Sequence, residues 1–124
     1  MRIFIPVMQN VFQGRCFDCK QITDDGFTVS IELEGSDAKL TLVFDGALVV
    51  RRMDEGDMLR TLPEIGSTGG AGKMLYMVEN SPFLNWFVEE SCHTRSAITI
   101  KHFLVAGINT AVDVISFDEP KIIK

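Results

Sequence analysis

Phe27-Thr28-Val29-Ser30-Ile31-Glu32-Leu33-Glu34 alternates apolar and polar side chains without a break. Successive side chains of a β-strand point to opposite faces. The run therefore predicts a strand with Phe27, Val29, Ile31 and Leu33 buried and Thr28, Ser30, Glu32 and Glu34 in water. Gly35-Ser36-Asp37 follows as a turn. Leu40, Leu42 and Phe44 resume the alternation, Asp45-Gly46 is a hairpin signal, and residues 47–52 read as a third strand. Together these segments predict an antiparallel meander, with the apolar side chains of 27–50 pointing inward from one pleated layer.

Working outward, residues 1–8 read as a strand at a sheet edge, because Pro6 has no N–H to give to a ladder. Residues 9–25 are polar and irregular, ending in the turn Asp24-Asp25-Gly26. A short helix is expected near 54–62: acids at its start and Arg60 near its end suit the helix dipole, and Pro63 ends it. Residues 66–72, rich in glycine, read as a surface loop, and 74–79 as a strand. Ser81-Pro82 then supplies a cap and a first turn for the main helix, 81–91. Phe83, Leu84, Phe87 and Val88 fall on one face of it, with Trp86 at the border. Strands are predicted over 98–105 and 111–117, with a short last one at 122–123. The expected fold is a single α+β domain over 1–124. Its core is a mainly antiparallel sheet of about six to seven strands, with one main helix at 81–91 and a short helix near 54–62.

Composition narrows the function class. The chain has 124 residues, 46% apolar and 23% charged, enough to bury a core without metal or disulfide. Twelve basic residues against 17 acidic give a net charge of −5. That argues against nucleic acid and against an anionic membrane surface, and is compatible with a basic protein partner. No stretch approaches the ~20 apolar residues of a membrane span. The apolar run at the N-terminus is short and broken by Pro6, unlike a signal peptide. With three cysteines, an odd number, reduced thiols in a cytoplasm are the simplest expectation.

Motifs suggestive of chemistry are each incomplete. Gly70-Ala71-Gly72-Lys73 resembles the end of a phosphate-binding loop. Ser67 stands where its first glycine belongs, Met74 follows the lysine instead of Ser or Thr, and a strand rather than a helix is predicted next. Cys16-Phe17-Asp18-Cys19 offers two thiolates, but tetrahedral zinc needs two more ligands from Cys92, His93 and His102, and Cys92 and His93 are adjacent. The same adjacency disfavours a Cys92 nucleophile with His93 as its base, since neighbouring side chains diverge. His93 is placed to meet the carbonyls at the helix end, and His102 is read as a surface or half-buried polar group on a strand. Asp113 lies opposite the apolar face of its strand, as either a buried acid or part of a wet face. No catalytic residue, metal site or cofactor is assigned. The candidate protein-binding residues are Trp86, the side-chain type enriched at binding hot spots, and the acidic clusters Asp54, Glu55, Asp57 and Glu89, Glu90. A core position for Trp86 and a solvated role for the acids are the alternatives.

The runs 50–57, 80–87 and 112–120 (Val50-Arg51-Arg52-Met53-Asp54-Glu55-Gly56-Asp57, Asn80-Ser81-Pro82-Phe83-Leu84-Asn85-Trp86-Phe87 and Val112-Asp113-Val114-Ile115-Ser116-Phe117-Asp118-Glu119-Pro120) resemble a group of small uncharacterised bacterial proteins. Some of that group look like immunity proteins of polymorphic toxin systems. The likeness covers residues 27–120 and contains no catalytic motif, so it assigns no site residue. It implies a cytoplasmic bacterial protein that works by binding. The expectation is a non-enzymatic module that binds another protein, in one form a basic toxin. A self-associating structural protein, such as a homodimer, is one alternative. A zinc-binding or thiol-dependent protein using Cys16, Cys19, Cys92 and the histidines is another.

Overall fold

Among the described residues nine strands form, with clear period-two alternation in β3 (Thr28–Glu34) and β4 (Lys39–Asp45), and they assemble into two antiparallel sheets rather than one. The computed structural model describes residues 1–12, 14–70 and 72–124; Ala71, within the expected glycine loop, lies outside them. The five-stranded sheet has the order β1 (Ile3–Pro6), β6 (Leu75–Glu79), β7 (Lys101–Ala106), β8 (Thr110–Ser116) and β5 (Val49–Asp54). The four-stranded sheet has the order β2 (Asp18–Asp24), β3 (Thr28–Glu34), β4 (Lys39–Asp45) and β9 (Lys121–Ile123). The helices are a single turn, α1 (Gln9–Phe12), then α2 (Thr61–Thr68) and α3 (Pro82–Glu90). The α+β class with mainly antiparallel pairing is therefore as expected. No helix of the described residues is long and apolar enough to cross a membrane.

The core lies between the sheets. Val29, Ile31, Leu33, Leu40, Leu42 and Phe44 meet Leu75, Phe103, Val105, Val112 and Val114 there. Each large side chain so buried contributes roughly 2 kcal/mol. The outer face of the four-stranded sheet carries Thr28, Ser30, Glu32 and Thr41. The outer face of the five-stranded sheet is covered, at one end by α2 and at the other by α3.

Several expectations are corrected. Phe27 is 65% exposed and sits in the bend before β3, where Asp25 accepts hydrogen bonds from its N–H and that of Thr28. The alternation thus begins one residue too early. The third strand of the supposed meander, β5, belongs to the other sheet and pairs with β8. Residues 45–48 carry the chain between layers, since alternation specifies a buried face but not the sheet that supplies it. Residues 18–24, read as irregular, form β2, whose polar side chains suit a sheet edge. Residue 98 is exposed in a turn, and the strand expected there starts at Lys101.

The short helix near 54–62 is a 3₁₀ turn, Glu55–Asp57, capped by the Asp54 carboxylate on the Gly56 N–H at 2.8 Å. The fuller helix, α2, follows it and continues through Pro63. In a first turn the backbone N–H has no partner within the helix, so proline costs little there. Residues 66–68 of the expected loop are helical as well. Gly69, which ends the helix, has a packing role: a Cβ on it would stand 2.1 Å from the Phe4 carbonyl oxygen of β1. Thr68 Oγ1 accepts the Phe4 N–H at 3.0 Å, and Arg2 chelates Glu64, whose carboxyl is held down to about 2, chiefly by the Arg2 hydrogen bonds. These contacts fasten α2 along the edge strand.

Candidate functional site

Cross-strand register places an uncommon set of polar groups under α3. On β8, Asp113 stands opposite Arg51 of β5 and Leu104 of β7. On β7, His102 stands opposite Ile115 of β8 and Val78 of β6. Asp113 and His102 are therefore diagonal neighbours on the outer face. The fourth member arrives from the strand-to-helix junction. Asn80 adopts a left-handed conformation (φ 55°) that turns the chain after β6, and Ser81 becomes the N-cap of α3.

The four side chains form one chain of hydrogen bonds. The Leu84 N–H donates to Ser81 Oγ at 3.0 Å, and Ser81 Oγ lies 2.7 Å from His102 Nδ1. His102 Nε2 lies 2.6 Å from Asp113 Oδ1, and Arg51 donates Nε–H to Asp113 Oδ2 at 2.9 Å, with Nη2 at the same distance. Hydrogen-bond logic puts a proton on Nε2, donating to the carboxylate, and lets the serine hydroxyl donate to Nδ1. Ser81, His102 and Asp113 are only 3%, 1% and 7% exposed, yet no buried side-chain polar atom of the described residues lacks a partner. Burial alone would raise the Asp113 carboxyl. The His102 hydrogen bond and the Arg51 pairing outweigh it and hold the carboxyl below its usual range.

Serine, histidine and aspartate in sequence invite a hydrolase reading, which the geometry does not favour. A nucleophile needs its oxygen lone pairs open to substrate. Here the oxygen accepts the Leu84 N–H as a helix cap and is almost wholly enclosed, so no substrate carbonyl can reach it. The chain of bonds acts instead as a clamp that fixes the start of α3 to β7, β8 and β5.

What the clamp holds in place is aromatic. The Arg51 guanidinium lies 3.9 Å from the Phe83 ring centre. Phe83 in turn stacks on Trp86, with centres 5.9 Å apart and planes 5° from parallel. Phe83, Leu84, Phe87 and Val88 pack on Ile100 and Ile115, as their helical spacing predicts. Trp86, at the border of that stripe, is 49% exposed. Beside the start of α3 a cleft of about 250 Å³ is lined by Arg51, Asp57, Arg60, Thr61 and Phe83.

The expected binding residues are only partly gathered. Asp57 lines the cleft near Phe83, and Glu89 and Glu90 end α3 with exposed side chains. Asp54 closes β5 opposite Thr110, and Glu55 borders a separate pocket of about 300 Å³ with Cys16, Leu62 and Ile108. The thiols are not brought together: Cys16 rims that pocket, Cys19 lines a different one, and Cys92 is exposed beyond α3. Burial, aided by the neighbouring Asp18 charge, pushes the Cys19 thiol up to about 12. Among the described residues no three of His, Cys, Asp and Glu stand close enough to share a metal ion. His93 meets the helix end through its backbone, its N–H donating to the Val88 carbonyl at 2.9 Å. His102, read as a surface or half-buried group, is instead fully buried beneath α3, against Phe83. Sequence reasoning missed the clamp, although one signal was available. If 107–110 is a hairpin turn, its register puts His102 and Asp113 on one face. Compared with known proteins, the chain matches no family model, no curated protein and no solved structure.

Proposed function

We propose that this protein is a non-enzymatic module that binds another protein through the α3 face, with Trp86 as the anchor. The supporting observation is the Trp86–Phe83–Arg51 stack: a half-exposed indole supported from below by a ring and a guanidinium that a buried polar chain keeps in one position. Binding hot spots are enriched in tryptophan and arginine, and a pre-set side chain loses little entropy on docking. In its more specific form, the module is an immunity protein of a bacterial cytoplasm that covers a basic toxin. Glu89 and Glu90 at the end of α3, with Asp57 in the cleft beside its start, would supply charge complementarity and speed encounter.

The test starts with tagged protein recovered from its native host and identification of what co-purifies in stoichiometric amount. Affinity for the purified partner is then measured by calorimetry. Trp86→Ala is expected to weaken binding by about 30-fold, the scale of a hot-spot residue. Joint neutralisation of Asp57, Glu89 and Glu90 is expected to slow association and flatten its salt dependence. Affinity unchanged by Trp86→Ala would overturn the reading, as would labelling of Ser81 by a serine-reactive fluorophosphonate. A homodimer lost on Trp86→Ala would transfer the surface to self-association instead.

A further inference from the structure

A concavity lies on the opposite side of β5 from α3, where the free edges of β5 and β2 face the same opening. It encloses about 480 Å³. Cys19, Ile22 and Val50 give it an apolar floor, Lys20 and Arg52 supply two cations, and no carboxylate lines it. In a chain of net charge −5 that local excess of positive charge stands out. Arg52 has no ion-pair partner among the described residues, and Lys20 reaches Glu34 only at 3.9 Å with both groups well exposed.

The edge itself is open. β5 is the outermost strand of its sheet and pairs only with β8. The Glu55 N–H donates to the Asn109 carbonyl at 2.9 Å, continuing the register that sets Asp54 against Thr110. Antiparallel alternation then makes Met53 and Arg51 hydrogen-bonded positions against β8. It turns the N–H and C=O groups of Val50 and Arg52 toward the free edge. The residues that offer an unused backbone ladder are thus the same two whose side chains line the cavity.

We propose that this edge binds an extended segment of another protein, added as a strand beside β5 and carrying an apolar and an acidic residue two positions apart. Side chains two apart on a strand share a face. On the incoming strand one therefore seats over Val50 and Ile22 while the other meets Arg52 and Lys20. Main-chain hydrogen bonds supply affinity, and the apolar-x-acidic pair supplies selectivity. The site lies across β5 from the α3 face and stands independently of the Trp86 reading.

The test is an NMR titration of ¹⁵N-labelled full-length protein with acetyl-Thr-Val-Thr-Glu-Thr-Val-Thr-amide and with the same peptide carrying Lys for Glu. The acidic peptide is expected to move the amides of Val50, Arg52, Cys19 and Ile22 and to bind about fivefold tighter than its lysine counterpart, the scale of one exposed ion pair. Arg52→Glu, an exposed change that leaves the fold intact by its spectrum, should reverse the preference. Equal affinity for the two peptides, shifts centred elsewhere, or no reversal in the folded variant would overturn the proposal. So would a free protein whose β5 edge is already closed by a second copy at sedimentation equilibrium, or a cavity that takes decanoate while refusing both peptides.

Discussion

Replacing Asp113 with asparagine should loosen the whole α3 face while removing almost no volume. The carboxylate accepts from His102 Nε2 on one oxygen and from Arg51 Nε and Nη2 on the other. An asparagine keeps one acceptor oxygen for Arg51 and presents an amide to His102. The ring must then switch tautomer, donating from Nδ1 to Ser81 Oγ, which already accepts the Leu84 N–H. The serine proton is left without its acceptor, and Arg51 loses its counter-charge. Breaking a fully buried ion pair costs about 3–5 kcal/mol. Arg51 is two-fifths exposed, so solvent screens part of that loss and about 2–3 kcal/mol is expected. In a chain of this length the corresponding fall in Tm is about 10 °C. Urea denaturation followed by circular dichroism measures the loss, and emission from the single tryptophan reports the loosened stack. The folded carboxyl lies below its usual value, so its stabilisation is full above the unfolded pKa near ~4 and is lost as pH falls through the folded one. The gap between the two proteins should therefore be constant at neutral pH and narrow in acid. A variant within 0.5 kcal/mol of the parent, or a gap that persists unchanged at pH 2, would refute the clamp.

The glycines of α2 should respond in opposite directions. Gly69→Ala drives a Cβ into the Phe4 carbonyl and should cost about 3 kcal/mol. Gly66→Ala, where nothing lies within 4 Å, should stabilise by about 1 kcal/mol, and a urea series on the pair compares them directly. Cys92 and His93 close α3 in consecutive left-handed conformations (φ 52° and 61°). His93→Gly should relieve strain and raise stability by about 1 kcal/mol in thermal melts. Iodoacetamide at pH 8, followed by mass spectrometry, should modify the exposed Cys16 and Cys92 well before Cys19, whose thiol is pushed up to about 12. Equal rates at all three would contradict its burial.

Strands whose two faces differ, such as β3 and β4, could be read from the sequence because alternation is itself the physical requirement of a half-wet sheet. So could α3, where a cap, an N-terminal proline and a 3.6-residue stripe agree. Partner choice was hidden. Nothing in residues 47–52 says that they pair with 110–116 rather than with the adjacent 39–45, since both alternatives bury Val50. β2 was hidden for another reason: an edge strand needs few apolar residues, so its composition reads as loop. At the site, the helical stripe leaves Trp86 at its border with core and surface both open to it, and the structure leaves it half exposed. The Ser81–His102–Asp113–Arg51 chain draws on three strands and a helix cap, and only the assembled sheet brings those positions together.

The long-range pairing of the two sheets bears on how the chain is made. Ile3 must wait for Glu79, Val49 for Ile115 and Thr41 for Ile123 before each finds its neighbour. During synthesis only adjacent ladders such as β2–β3–β4 can close early. Such remote partners imply slow acquisition of structure, on the millisecond-to-second scale, with greasy half-finished layers displayed meanwhile. Rapid overproduction in a warm culture should therefore yield insoluble material, and slower translation or a holding chaperone should rescue it.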